Sequence, residues 1–73
     1  MMERINHIIR QYVSEGKDIQ EGMNLVTDLG LTSFDLAAMA ADFEDEFEIT
    51  IETAELSEIR TVADIAACIE RHL

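Results

Sequence analysis

The sequence predicts an all-α fold, a small four-helix bundle built from three main helices and one short one. Three observations predict it. Apolar residues recur at helical spacing in three separate stretches. There is no proline anywhere in the chain, and all three glycines fall between residues 16 and 30. The 73 residues are expected to form one domain, 1–73, which buries only about 60% of the surface that its unfolded chain would expose. A core that thin leaves little rigid interior for a deep catalytic pocket, so a binding or carrier module is expected over an enzyme.

In the first stretch Ile5, Ile8, Ile9, Tyr12 and Val13 form one stripe, and Ser14-Glu15-Gly16 follows as a stop with Gly16 suited to a left-handed end residue. Residues 15–31 are polar. Ile19, Met23, Leu25, Leu29 and Leu31 punctuate them without helical periodicity, which reads as a long loop pinned to the core. Long loops in small domains are often functional.

The second helix is predicted over residues 33–47, with Leu36, Met39, Ala40, Phe43 and Phe47 facing the core. Asp35, Asp42, Glu44, Asp45, Glu46 and Glu48 occupy much of the remainder. Carboxylates crowded at a helix C-terminus repel one another and oppose the macrodipole. Stability alone is not expected to explain them, whereas a basic partner surface would. Ile49-Thr50-Ile51 reads as extended, and residues 52–57 as a short helix. Thr61-Val62-Ala63-Asp64 fits a capping box opening a last helix, with Val62, Ile65, Ala66, Ile69 and Leu73 as its apolar stripe.

Charge narrows the function classes. Sixteen acidic residues against five basic ones give a net charge of -11. Such a surface repels nucleic-acid phosphates and anionic membranes, and attracts basic protein surfaces. The longest apolar run, residues 36–41, is far too short to span a bilayer. The first residues lack the apolar centre of a signal peptide, so a cytoplasmic monomer is expected. Cys68 is the only cysteine, and His7 and His72 stand at opposite ends of the sequence. No disulfide, no metal site and no catalytic residue are expected, and Cys68 reads as a small buried residue on a helix.

Thr32-Ser33-Phe34-Asp35 is the most informative tetrapeptide. With Thr32 as N-cap and Asp35 closing the box, Ser33 becomes the first helical residue. Its hydroxyl would sit beside unpaired backbone N–H groups at the positive end of the helix, a suitable place for a phosphate. A serine there is equally an ordinary helix-starting residue.

Asp28-Leu29-Gly30-Leu31-Thr32-Ser33-Phe34 resembles the signature of the acyl carrier proteins, usually Asp-Leu-Gly, a variable residue, then Asp-Ser-Leu. The similarity extends over nearly the whole chain. It includes the acidic second helix ending Phe43-Glu44-Asp45-Glu46-Phe47 and the stretch Ile59-Arg60-Thr61-Val62 before the last helix. The resemblance implies a non-enzymatic carrier whose Ser33 oxygen bears a covalent 4'-phosphopantetheine, installed from coenzyme A by a phosphopantetheinyl transferase. Acyl groups ride on the arm as thioesters between acyl-transferring and acyl-processing enzymes of fatty-acid or a specialised acyl or polyketide pathway. It implies partner-facing positions at Asp35, Ala38, Ala41, Asp42 and Asp45. It also implies an acyl cavity among Phe34, Leu36, Met39, Ile51 and Ile59, each of which could equally be plain core.

Thr32 and Phe34 depart from the usual Asp and Leu. Thr keeps the capping function but loses a charge at the transferase's recognition site, and Phe34 is bulkier. Ala37, Ala38 and Ala41 stand where larger apolar or acidic docking residues are common in the family, which points towards a specialised carrier. Two rival readings are an aminoacyl or peptidyl carrier, expected to be less acidic, and a small acidic adaptor with no prosthetic group. A hydrolase using Ser33 has no histidine near it in sequence.

Overall fold

The computed structural model describes residues 1–73 and contains four α-helices and no strand. They are α1 (Met2–Arg10), α2 (Ser33–Phe47), α3 (Thr53–Leu56) and α4 (Val62–His72). The predicted bundle of three main helices and one short one is therefore observed, and α2 begins and ends where its apolar spacing placed it.

Helix α1 buries Ile5, Ile8 and Ile9, with His7 and Arg10 in its last turn, where positive charge suits the dipole. It ends three residues before the predicted limit. The N–H groups of Gln11 and Tyr12 bond the carbonyls of Ile8 and Ile9 at 3.1 and 2.9 Å, tightening the exit to three-residue spacing. Tyr12 and Val13 leave the helix but still pack against the core. The Tyr12 hydroxyl donates to the Asp42 carboxylate on α2, which draws the ring across rather than along α1. Gly16 does adopt a left-handed conformation (φ 85°), but in a separate turn in which Lys17 N–H bonds Ser14 C=O, not at the helix end.

The long segment before α2 is anchored as its apolar punctuation predicts: Leu25, Leu29 and Leu31 are buried, and Ile19 and Met23 pack on the core. Its middle is stitched to the start of α4. Asn24 and Thr61 form an isolated antiparallel bridge, and Leu25 N–H bonds Arg60 C=O at 2.9 Å. Val62 N–H and Ala63 N–H in turn donate to Met23 C=O and Glu21 C=O.

Met39, Phe43 and Phe47 of α2 and Val62, Ile65, Ala66, Cys68 and Ile69 of α4 complete the core. Cys68 is fully buried on α4, as a small helical side chain would be. Leu73 departs from the predicted stripe: it lies past the end of α4 and is 72% exposed. Residues 48–52 are non-helical, as the extended reading required, and lead into α3, which buries no residue.

Candidate functional site

The start of α2 is assembled by two consecutive local devices. In the first, Asn24 Oδ1 accepts the N–H groups of Val26 and Thr27, both at 2.9 Å, while Asp28 Oδ2 accepts Asn24 N–H at 2.7 Å. Leu29 is buried, and Gly30 turns the chain at φ 74°, where a side chain would be strained. Gly30 N–H and Leu31 N–H then bond the Val26 and Leu25 carbonyls, both at 3.0 Å. Each residue of Asp28-Leu29-Gly30 thus has a distinct structural task, closing a turn that delivers the chain to α2.

The second device is the predicted capping box. Thr32 is extended (φ -94°, ψ 168°). Its Oγ1 accepts Asp35 N–H at 3.1 Å, and Asp35 Oδ2 accepts Thr32 N–H at 3.0 Å. Ser33 is the first residue of α2 and exposed. The N–H groups of Ser33 and Phe34 have no protein acceptor. An exposed hydroxyl beside two free N–H donors at the positive end of a 15-residue helix suits a phosphodiester on Ser33 Oγ.

Three positions further along α2, Leu36 lies on the face of the helix that Ser33 begins. That face opens on an apolar cavity of about 20 Å³ between α2, α3 and α4. Leu36, Met39, Ile51 and Ile59, four of the five residues named as cavity candidates, line it, together with Phe43, Leu56 and Cys68. Phe34 does not. It is 82% exposed and absent from the lining, because the second helical position turns its side chain outward. The cavity holds roughly one water, so any alkyl chain entering it must part its walls. The shortest wall is α3, four residues with none buried.

The acidic residues of α2 are less free than their number suggests. Asp35 closes the capping box, and Asp42 accepts from Tyr12, which raises the tyrosine pKa above its ordinary value. Glu44 Oε2 accepts Ile51 N–H at 2.8 Å, fixing the exit from the helix. Arg4 Nε meets Glu46 Oε2 at 2.7 Å, and its guanidinium lies 4.3 Å above the Phe47 ring. Four of the six carboxylates therefore have partners within the chain, correcting the expectation that stability would not explain them. Among the five positions named as partner-facing, Ala41 and Asp45 are exposed, whereas Asp35, Ala38 and Asp42 are only partly so.

One grouping went unread in the sequence. Cys68 and His72 stand one turn apart on α4, and Glu55 of α3 meets them. His72 Nε2 is 2.9 Å from both Glu55 oxygens. The N–H of Glu52 and the His72 ring hold the Glu55 carboxyl below its usual range, and burial pushes the Cys68 thiol up. The i, i+4 spacing of Cys68 and His72 was the available signal, but only the short α3 supplies the third group.

The chain matches the family described as "Phosphopantetheine attachment site" over residues 3–69. It is 36% identical to an acyl carrier protein of Thermotoga maritima, covering 97% of this chain and 94% of that protein. It is 37% identical to an acyl carrier protein of an Exiguobacterium species, covering 97% and 96%. Its fold superposes on a solved acyl carrier protein structure from Mycobacterium tuberculosis with a TM-score of 0.89 and 32% identity, over 94% of this chain and 93% of the other.

Proposed function

The chain belongs to the acyl carrier protein family, carriers rather than catalysts with a covalent 4'-phosphopantetheine, and we propose that Ser33 Oγ is the atom to which the arm is joined. The observation that carries this reading is the pairing of an exposed Ser33 hydroxyl with the unpartnered N–H groups of Ser33 and Phe34 at the mouth of α2. When bound, the group supplies a terminal thiol that holds an acyl chain as a thioester. The chain's own residues do the rest. Thr32 and Asp35 keep the first turn rigid, and the α2 N-terminus offsets phosphodiester charge. Leu36, Met39, Ile51 and Ile59 offer an apolar lining for the acyl chain.

We further infer that residues 1–73 act as one carrier domain in the cytoplasm; no helix is long and apolar enough to cross a membrane. The cargo is an acyl group of a fatty-acid or a specialised acyl or polyketide pathway, and the small Ala37, Ala38 and Ala41 favour the specialised one. The exposed face of α2 offers Asp45 and Glu48 as carboxylates without partners in the chain, flanked by small Ala41, so docking enzymes meet fewer large side chains there.

The test is intact mass after incubating the full chain with coenzyme A and a broad-specificity phosphopantetheinyl transferase. A gain of one phosphopantetheine that is lost in Ser33→Ala supports the reading, and an unchanged mass with several transferases removes it in favour of an acidic adaptor. Loading the holo form from acyl or aminoacyl donors separates the two kinds of carrier. Malonyl transfer by a housekeeping fatty-acid malonyltransferase should run slower than on a typical carrier, and equal rates would withdraw the specialised assignment.

A further inference from the structure

Glu55, Cys68 and His72 place a carboxylate oxygen, a thiol sulfur and an imidazole nitrogen within 4.8 Å of one another. We propose that these three side chains form a binding site for a zinc-class divalent cation that clips α3 to the end of α4. It is independent of the Ser33 assignment.

Sulfur, nitrogen and oxygen donors together suit zinc better than magnesium or calcium, which take oxygen ligands. Three protein ligands with a fourth position left to water is an established zinc arrangement. Cys68 and His72 reach the same side of α4 because they stand at i and i+4. Glu55 crosses from α3 and already contacts the ring nitrogen that would coordinate.

Zinc bonds of about 2.0–2.3 Å put tetrahedral ligands roughly 3.5 Å apart, so the Cys68 sulfur must approach the other two donors, from as much as 4.8 Å, while Glu55 and His72, at 2.9 Å, part slightly. Helix α3 can supply that movement, since it spans four residues and buries none of them. Entry is from solvent. Cys68 is fully enclosed, but the Glu55 and His72 side chains that cover it are each about one-quarter exposed. Glu55 borders a polar cleft lined also by Glu58, Asp64 and Arg71, where three carboxylates against one guanidinium, within a chain of net charge -11, leave a field that favours cations. On binding, the Cys68 thiol releases its proton to solvent and the sulfur takes up the metal as thiolate, while His72 Nε2 gives up the hydrogen it shares with Glu55 and the neutral ring keeps its proton on Nδ1. Cys68 also lines the apolar cavity. An occupied site would therefore hold α3, the shortest wall of that cavity, against α4.

Titration of the full chain with zinc and with cobalt(II) as its spectroscopic stand-in tests the site, with Ser33→Ala run in parallel so that no pantetheine thiol can contribute. The expected result is one equivalent bound in both proteins, with tetrahedral cobalt bands and a thiolate-to-cobalt charge-transfer band that Cys68→Ala abolishes. His72→Gln and Glu55→Gln should each weaken zinc binding by about tenfold or more with helix content unchanged. If Cys68→Ala fails to fold, His72→Gln decides alone, since His72 is the last residue of α4 and lies outside the buried core. A cobalt spectrum without the thiolate band, unchanged affinity in His72→Gln, or binding that disappears in Ser33→Ala would each overturn the proposal.

Discussion

Helices α2 and α4 begin with the same device and use it differently. Both open on Thr-x-x-Asp, and both show the full reciprocal capping box. At α4 the next residue is Val62, fully buried, and the N–H groups of Val62 and Ala63 are consumed by the Met23 and Glu21 carbonyls. At α2 the next residue is Ser33, exposed, and the corresponding N–H groups of Ser33 and Phe34 meet no protein acceptor. One helix start is sewn into the fold by the loop that passes it. The other is left open to solvent with its donors free. Capping alone therefore does not make a phosphate site; the difference at α2 is a cap whose first two N–H groups the fold leaves unused.

The largest effects should come from exchanging the first helical residues' roles. Ser33→Ala should leave stability within about 0.5 kcal/mol, as for an exposed site, while abolishing attachment of the arm by intact mass. Val62→Ala should cost about 2 kcal/mol through lost burial and a residual cavity, read as a lower urea midpoint, with attachment intact. A Ser33→Ala protein that unfolds, or a Val62→Ala protein that does not weaken, would break the contrast. Removing each cap comes next. Thr32→Ala and Thr61→Ala should each cost about 1 kcal/mol. The Thr61 change should exceed the Thr32 one in urea unfolding, because Thr61 is half-buried whereas Thr32 is exposed.

Both capping boxes were legible in the sequence because they are local: Thr and Asp three apart before an apolar run have few other uses. So were α2's limits and the core stripe of Met39, Phe43 and Phe47. Long-range pairings decided what was not legible. The Tyr12–Asp42 hydrogen bond takes Tyr12 out of α1's line, and Arg4 reaching Glu46 turns a surplus carboxylate into a structural one. The family resemblance put Phe34 in the cavity, yet its position in the first turn points it to water. The Glu55–Cys68–His72 grouping needs α3 to fold over α4, which spacing within either helix does not state.

A smaller effect separates the two starts by pH. The backbone N–H groups of Arg60 and Thr61 hold the Asp64 carboxyl below its ordinary range. A carboxylate whose folded pKa lies below the unfolded value of about 3.9 contributes stability that is complete above that pH and is lost as pH falls through the folded value. Asp64→Asn should therefore weaken the fold at neutral pH and flatten the dependence of the urea midpoint on pH below about 4. An unchanged acid limb would show that the loop, not the carboxylate, holds the start of α4.

The smallest expected change in stability belongs to the second helical position. Ala63 at α4 and Phe34 at α2 are both exposed, so the aromatic ring is not explained by packing. Phe34→Ala should shift the urea midpoint by no more than about 0.5 kcal/mol in stability. Leu36→Ala, two residues on and inside the cavity lining, should cost more, because its side chain is part-buried against the core. The pair also divides the acyl chain's surroundings. If loading the arm with a medium-length acyl group raises the melting temperature, as burial of alkyl surface requires, Leu36→Ala should shrink that increment and Phe34→Ala should leave it alone. An increment that falls equally in both would return Phe34 to the cavity, through a rearrangement of the α2 entrance that accompanies the chain's arrival.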